Sequence, residues 1–152
     1  MRRIIVGILA TLGAIAALAV AYVLFSLPAM RMRAREKSTE AQMHTVQLAA
    51  EDFGVQNDGV YAGDVDRSLT AHGQRLVDLL PLHERIWNAF TERKTEPRQG
   101  PAPAVAPPGS VWYEPVRDSS GAVVGYSIIG YGNKGRLDLV LRDAMHGADG
   151  GR

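Results

Sequence analysis

"REKSTEAQMHTVQLAAEDFG", Arg35 to Gly54, decides how this chain is read. It holds no proline, and no glycine before its last residue. Glu, Gln, Ala, Met, Leu and Arg predominate, and these residues lose little on entering a helix. Met43, Val46, Ala50 and Phe53 recur at helical spacing and form one apolar stripe. Arg35, Glu36, Glu40, Gln47 and Glu51 fill much of the remaining surface. Gly54 is a stop signal. The stripe is too thin to make a core alone, so the helix needs something to lie against.

Upstream, no charged residue occurs from Ile4 to Leu27. That run is longer than the roughly 20 residues a bilayer core requires. It also exceeds the roughly 7–15 residue apolar region of a secretory signal. Residues 1–28 therefore read as a retained transmembrane helix, and 29–54 as its amphipathic continuation. Pro28 sits between two strongly helical flanks, so it is expected to kink the helix without ending it. Gly7, Ala10, Gly13, Ala14, Ala17 and Ala21 are small, and Gly13, Ala17 and Ala21 recur every fourth position. Such spacing lets neighbouring helices approach closely. Arg2 and Arg3 precede the apolar run, whereas Arg31, Arg33, Arg35 and Lys37 follow it. By charge alone, the part after the run would stay inside.

Downstream, residues 55–108 read as a loop region. "QNDGVYAGDVD" is turn chemistry. "SLTAHGQRLVDLLP" is expected to form a short helix capped by Ser68 or Thr70 and stopped by Pro81. "LHERIWNAFTERKTEPRQGPAPAVAPPG" reads as loop, with an extended and mobile Pro-rich part from Pro97 to Pro108. Residues 109–142 change character. "SVWYEPV", "VVGYSIIGYG" and "RLDLVLR" are strand-forming runs separated by the turns "RDSSGA" and "NKG". They predict an antiparallel three-stranded meander, which needs a cover on one face. The amphipathic helix is the available cover, with Tyr113, Tyr126, Ile128 and Leu139 meeting Val46 and Phe53. The expected fold is α+β: a long N-terminal helix packed on a small antiparallel three-stranded sheet. Residues 143–152, polar and glycine-rich, read as a flexible tail.

The residue inventory argues against catalysis. The 152 residues include no cysteine, and the formal net charge is +1. Disulfides and thiolate metal sites are thereby excluded. No basic run interleaved with aromatics points to nucleic acid. His44, His72, His83 and His146 are scattered, none at ligand spacing to another. Asp58, Asp64 and Asp66 lie close together with glycines, and oxygen ligands in such a loop could hold calcium. Their spacing departs from the EF-hand pattern, and a plain turn with solvated carboxylates is the favoured reading. "GYGNKG" lacks the Lys-Ser/Thr pair of a phosphate loop and leads into a strand. No enzyme and no cofactor are expected.

Several stretches together carry a resemblance. Pro28 closes an apolar run. Gln42-Met43-His44-Thr45, Leu48, Glu51 and Phe53 follow in the helix, and Gly59 and Tyr61 in the turn after it. "WNAFTERK" (Trp87 to Lys94), "PPGSVWYEPV" and "GYSIIGYGNKGRLDLVL" complete the pattern. This chain resembles the type IV pilin and type II secretion pseudopilin superfamily, of the major pseudopilin kind. The likeness runs from about Ile4 to Leu141. The family's peptidase site is degenerate here. Counting back from Pro28, its Gly falls on Val6 and its Glu on Thr11, and Gly7 leads into "ILATL" without an acid.

The resemblance implies a structural subunit of a type II secretion or type IV pilus-type assembly that acts by packing helices. It implies the membrane, other pilin-like subunits and secretion-platform proteins as partners. It also implies a single-pass placement in the bacterial inner membrane, N-terminus cytoplasmic and C-terminal domain extracytoplasmic. The residues expected to serve packing are Gly13, Ala17, Ala21 and Pro28 in the first part. In the second they are Met43, Val46, Ala50 and Phe53. The missing acid at Thr11 leaves a second reading: a membrane-anchored binding module with the same fold that does not polymerise.

Overall fold

A computed structural model describes residues 2–81 and 85–143, with side chains at Ile15, Leu18 and from Val20 onward. Helix α1 runs Arg2–Val55 and contains Pro28. Contacts divide the chain into two units, Met1–Ala34 and Arg35–Arg152.

In the first unit the described large apolar side chains are exposed, among them Leu18, Tyr22, Leu24 and Phe25. Among the described residues, no helix is long and apolar enough to cross a membrane. This overturns the expected single-pass placement in a bacterial inner membrane. Within the part of α1 whose side chains are described, the apolar run closes at Leu27. Arg31, Arg33 and Arg35 follow soon after it.

The second unit joins the end of α1 to two sheets. Strands β1 (Ile86–Asn88) and β2 (Arg93–Thr95) pair antiparallel. β3 (Arg98–Gln99), β4 (Val111–Arg117), β5 (Val123–Gly132) and β6 (Gly135–Arg142) form a second sheet in that order. The β4–β5 and β5–β6 pairs are antiparallel, but β3 lies parallel to β4, with Arg98 opposite Trp112 and Gln99 opposite Tyr113. The expected small antiparallel three-stranded sheet is therefore not what forms. There is a two-stranded sheet and a mixed four-stranded one.

Local chemistry explains the additional strands. Asn88 ends β1 by accepting hydrogen bonds from the backbone N–H groups of Phe90 and Thr91, at 2.8 and 3.1 Å. That turns "WNAFTERKT" into a hairpin, with Glu92 in the left-handed region at φ 55°. The prolines do not loosen the next segment. Pro97 is buried, and the backbone N–H of Gly100 bonds the Tyr113 carbonyl at 3.2 Å, extending the parallel pairing. A parallel neighbour needs a long connection, and the Pro-rich chain from Gly100 to Ser110 supplies it.

The expected helix after Ser68 shrinks to a 3-10 turn at Leu76–Leu79. The Ser68 hydroxyl accepts from the N–H groups of Gly63 and Asp64, and the Thr70 hydroxyl from those of His72 and Gln74. Both side chains thus close turns, a competition that Ser and Thr often win against helix. Leu76, Val77 and Leu80 still reach the core. Helix α1 ends one residue past Gly54. The reversal falls at Asp58 and Gly59, both at positive φ, and the Gly59 N–H bonds the Gly54 carbonyl at 2.8 Å.

Candidate helix-packing site

The core of the second unit lies where α1 meets β4 and β5. Met43, Val46, Ala49, Ala50 and Phe53 are buried in one cluster with Val111, Tyr113, Tyr126 and Ile128, and Leu139 packs partly buried against it. Fully burying a side chain such as Phe53 or Met43 is worth about 1.5–3 kcal/mol. Two glycines of β5 set how closely the helix approaches. A Cβ built on Gly130 would lie 2.5 Å from the Met43 sulfur, and one on Gly132 would lie 2.8 Å from the Glu36 carboxylate. Glycines on β5 thus let the helix come close, and Met43 fills the groove they leave. A similar fit explains Gly54, where a Cβ would lie 3.0 Å from the Tyr61 ring.

A polar clamp adjoins this apolar contact. The Tyr126 hydroxyl donates to one oxygen of Glu51 at 2.5 Å, and the Tyr61 hydroxyl to the other at 3.3 Å. The Tyr113 ring stacks on Tyr126 at 5.7 Å between centroids, and Tyr61 meets Tyr126 edge-on at 5.0 Å. Tyr113 donates its own hydroxyl to the Ala62 carbonyl at 2.9 Å. Burial, and then the neighbouring Glu51 carboxylate, pushes the Tyr61 hydroxyl up to about 12. Burial likewise raises Tyr113 and Tyr126 well above the usual phenol range, with Glu51 adding to the effect on Tyr126. All three tyrosines therefore stay neutral donors, Tyr61 and Tyr126 to Glu51 and Tyr113 to the Ala62 carbonyl.

Further contacts fix the first part of the helix segment in this unit. The Gln42 side-chain oxygen Oε1 accepts from the Trp87 backbone N–H at 3.2 Å, and the Arg35 guanidinium bonds Glu92 at 3.3 Å. Glu36 accepts from the Asn133 N–H at 3.3 Å in the β5–β6 turn. Arg35 and Glu92 are well exposed, so their bridge contributes little, about 0–1 kcal/mol. The weight rests on the buried contacts.

The four residues singled out in the first unit fare differently. Gly13 and Ala17 lie outside the residues whose side chains are described. Ala21 is half-buried, and Pro28 is exposed within α1. The Glu51 clamp was missed by sequence reasoning. Its only signal was a carboxylate standing next to the apolar stripe, in a chain whose strands bring tyrosines to the same face.

The other chemical candidates do not assemble. His44 faces solvent and contacts Gln47. His72 is exposed, and His83 and His146 lie outside the described residues. One Asp64 oxygen accepts from the N–H groups of Asp66 and Arg67, closing the loop on itself. Among the described residues, no group of three His, Cys, Asp or Glu side chains could hold a metal ion. No protein-family model, curated protein or solved structure matches this chain.

Proposed function

We propose that this protein is a pilin-like or pseudopilin-like structural subunit of a type II secretion or type IV pilus-type assembly, working by helix packing and not by catalysis. One observation carries the reading. In the first unit, Phe25 is 85% exposed, Tyr22 75% and Leu18 71%, on a helix that offers them no cover within its own unit. Exposed apolar surface on that scale marks an interaction site. Equivalent helices of other subunits would present the same apolar chemistry to it. The second unit supports the same reading, because its helix segment is fixed to β5 by Met43, Phe53 and Glu51. A fixed head on an apolar helix suits a repeating assembly. The partners are other pilin-like subunits or platform proteins of such a system.

The absence of cysteine makes the test clean. Leu18→Cys combined with Phe25→Cys in the full chain is oxidised, and the products are separated by size. A ladder of cross-linked species is expected, with none from a matched pair of cysteines on the exposed head, at Asp118 and Asn133. A protein that sediments as a monomer at all concentrations, and yields no cross-links, would overturn the proposal.

A further inference from the structure

Along α1 every seventh residue from Val20 to Val55 is apolar: Val20, Leu27, Ala34, Ala41, Leu48 and Val55. All six are exposed. In the second unit Met43, Val46, Ala49, Ala50 and Phe53 turn into the core, and the column of sevens lies on another face of the same helix. Leu48 is 71% exposed there and Val55 82%, so the sheet does not cover it. A strict seven-residue apolar period is the seam of one helix wound on another, because it keeps the same face towards the partner turn after turn.

The charges beside this column have opposite signs in the two units. With the column taken as heptad position a, Arg31 (e) and Arg33 (g) flank it in the first unit, and Glu40 (g) and Asp52 (e) in the second. Arg31, Arg33 and Asp52 have no ion pair or side-chain hydrogen bond among the described residues. Glu40 pairs with the exposed Lys37 at 2.6 Å. In a parallel pair of helices each g residue meets the e residue of its partner's next heptad. A slide of two heptads, about 21 Å at about 1.5 Å per residue, brings Arg33 to Asp52 of the next copy and Arg31 to its Glu40. In the seam Leu27 then lies against Ala41, and Ala34 against Leu48, large opposite small at each layer. The other whole-heptad registers pair no charges. Without a slide the arginines face Ser26 and Ser38. A slide of one heptad sets Arg31 against Arg33. A slide of three sets Arg31 against Gln47 and carries Arg33 past the helix end at Val55.

We propose that a second copy of this chain docks in parallel on the Ala41, Leu48 and Val55 face, two heptads out of register, with Arg33–Asp52 and Arg31–Glu40 pairs fixing the slide. The occupant is the Val20–Ala34 segment of the next copy. Each copy offers that segment to one neighbour and receives another's on its own Glu40–Val55 face. The contact is heterologous, so copies add without closing a pair. This inference rests on the assembly reading above and supplies its partner surface and register.

Two full-length single-cysteine chains, Leu27→Cys and Ala41→Cys, are oxidised separately and as a mixture. Both sites are exposed, so the head should melt as before. A disulfide-linked heterodimer from the mixture is expected, with little product from either chain alone. Arg33→Asp in the Leu27→Cys chain should lower that yield about fivefold at low salt. Asp52→Arg in the Ala41→Cys chain should restore it. Homodimers from either chain alone at the heterodimer's yield, or a charge exchange that restores nothing, overturn the proposal. So does a missing heterodimer while the Leu18→Cys/Phe25→Cys chain still gives its ladder, a result that leaves the assembly reading standing. If neither cross-links, both fall.

Discussion

The Tyr126 hydroxyl on β5 donates to the Glu51 carboxylate on α1 at 2.5 Å, joining residues 75 positions apart. A hydrogen bond to a charged group in a partly buried place contributes about 1.5–3 kcal/mol. Tyr126→Phe is expected to destabilise the second unit by that amount. Glu51→Gln should cost less, because an amide still accepts from one tyrosine. Urea unfolding of the two single variants and the double gives the coupling directly. Full additivity would show that the pair does not act as a clamp.

The same cluster sets an alkaline limit. Tyr61 is raised from 10.0 to about 12 by burial and by Glu51. A phenol whose pKa is higher in the fold than in the unfolded chain stabilises the fold while it is neutral. That contribution is complete below about pH 10, the unfolded value, and is lost as pH rises through the folded value. Tyr113 and Tyr126 push in the same direction. Stability should therefore fall from pH 10 towards 12, with phenolate absorbance rising together with unfolding. Tyrosines that ionise near pH 10 with the fold intact would contradict this.

Gly130 and Met43 should behave as a complementary pair. Gly130→Ala puts a methyl where the Met43 sulfur now lies, and overpacking of this kind typically costs about 1–3 kcal/mol. Met43→Ala removes the filler, at about 2–5 kcal/mol. The double variant should cost clearly less than the sum, since each change relieves the other. Equilibrium unfolding of all three measures the interaction.

Asn88 makes three hydrogen bonds through one side chain. Its oxygen caps Phe90 and Thr91, and its amide donates to the Pro108 carbonyl at 3.0 Å. Asn88→Ala strands those groups and should cost about 2–4 kcal/mol, each unpaired buried polar group costing about 1–3 kcal/mol. Gly109→Ala attacks the same contact from the other side. Its φ is 79°, and a Cβ would stand 2.1 Å from the Asn88 oxygen. Amide exchange at Phe90 and Thr91 should quicken in both variants.

What the sequence makes legible follows from period and punctuation. The stripe from Met43 to Phe53 shows as a helical repeat, and "DSSG" and "NKG" mark the two turns that separate β4, β5 and β6. Arg98–Gln99 gives no such sign. A two-residue strand has no period, and prolines on both sides argue against pairing until Tyr113 is seen to accept from Gly100. Asn88 likewise looks ordinary, since its capping role depends on which backbone groups a hairpin presents. Tyr61 and Tyr126 stand far from Glu51 in the sequence, and nothing local announces that all three meet. In the first unit, length and composition make the apolar run look like a membrane span, but they carry no information about what covers the helix.

The parallel pairing of β3 with β4 also bears on the order in which the molecule can form. The β4–β5 and β5–β6 pairs close through short turns and cost little loop entropy. β3 has no adjacent partner in sequence. It must wait for β4 to exist, and the Gly100 to Ser110 connection must close around it before its bonds return anything. By loop entropy the β3–β4 pairing forms last and opens first, so the amides that bond across it should exchange through fluctuations that leave the Glu51 clamp intact.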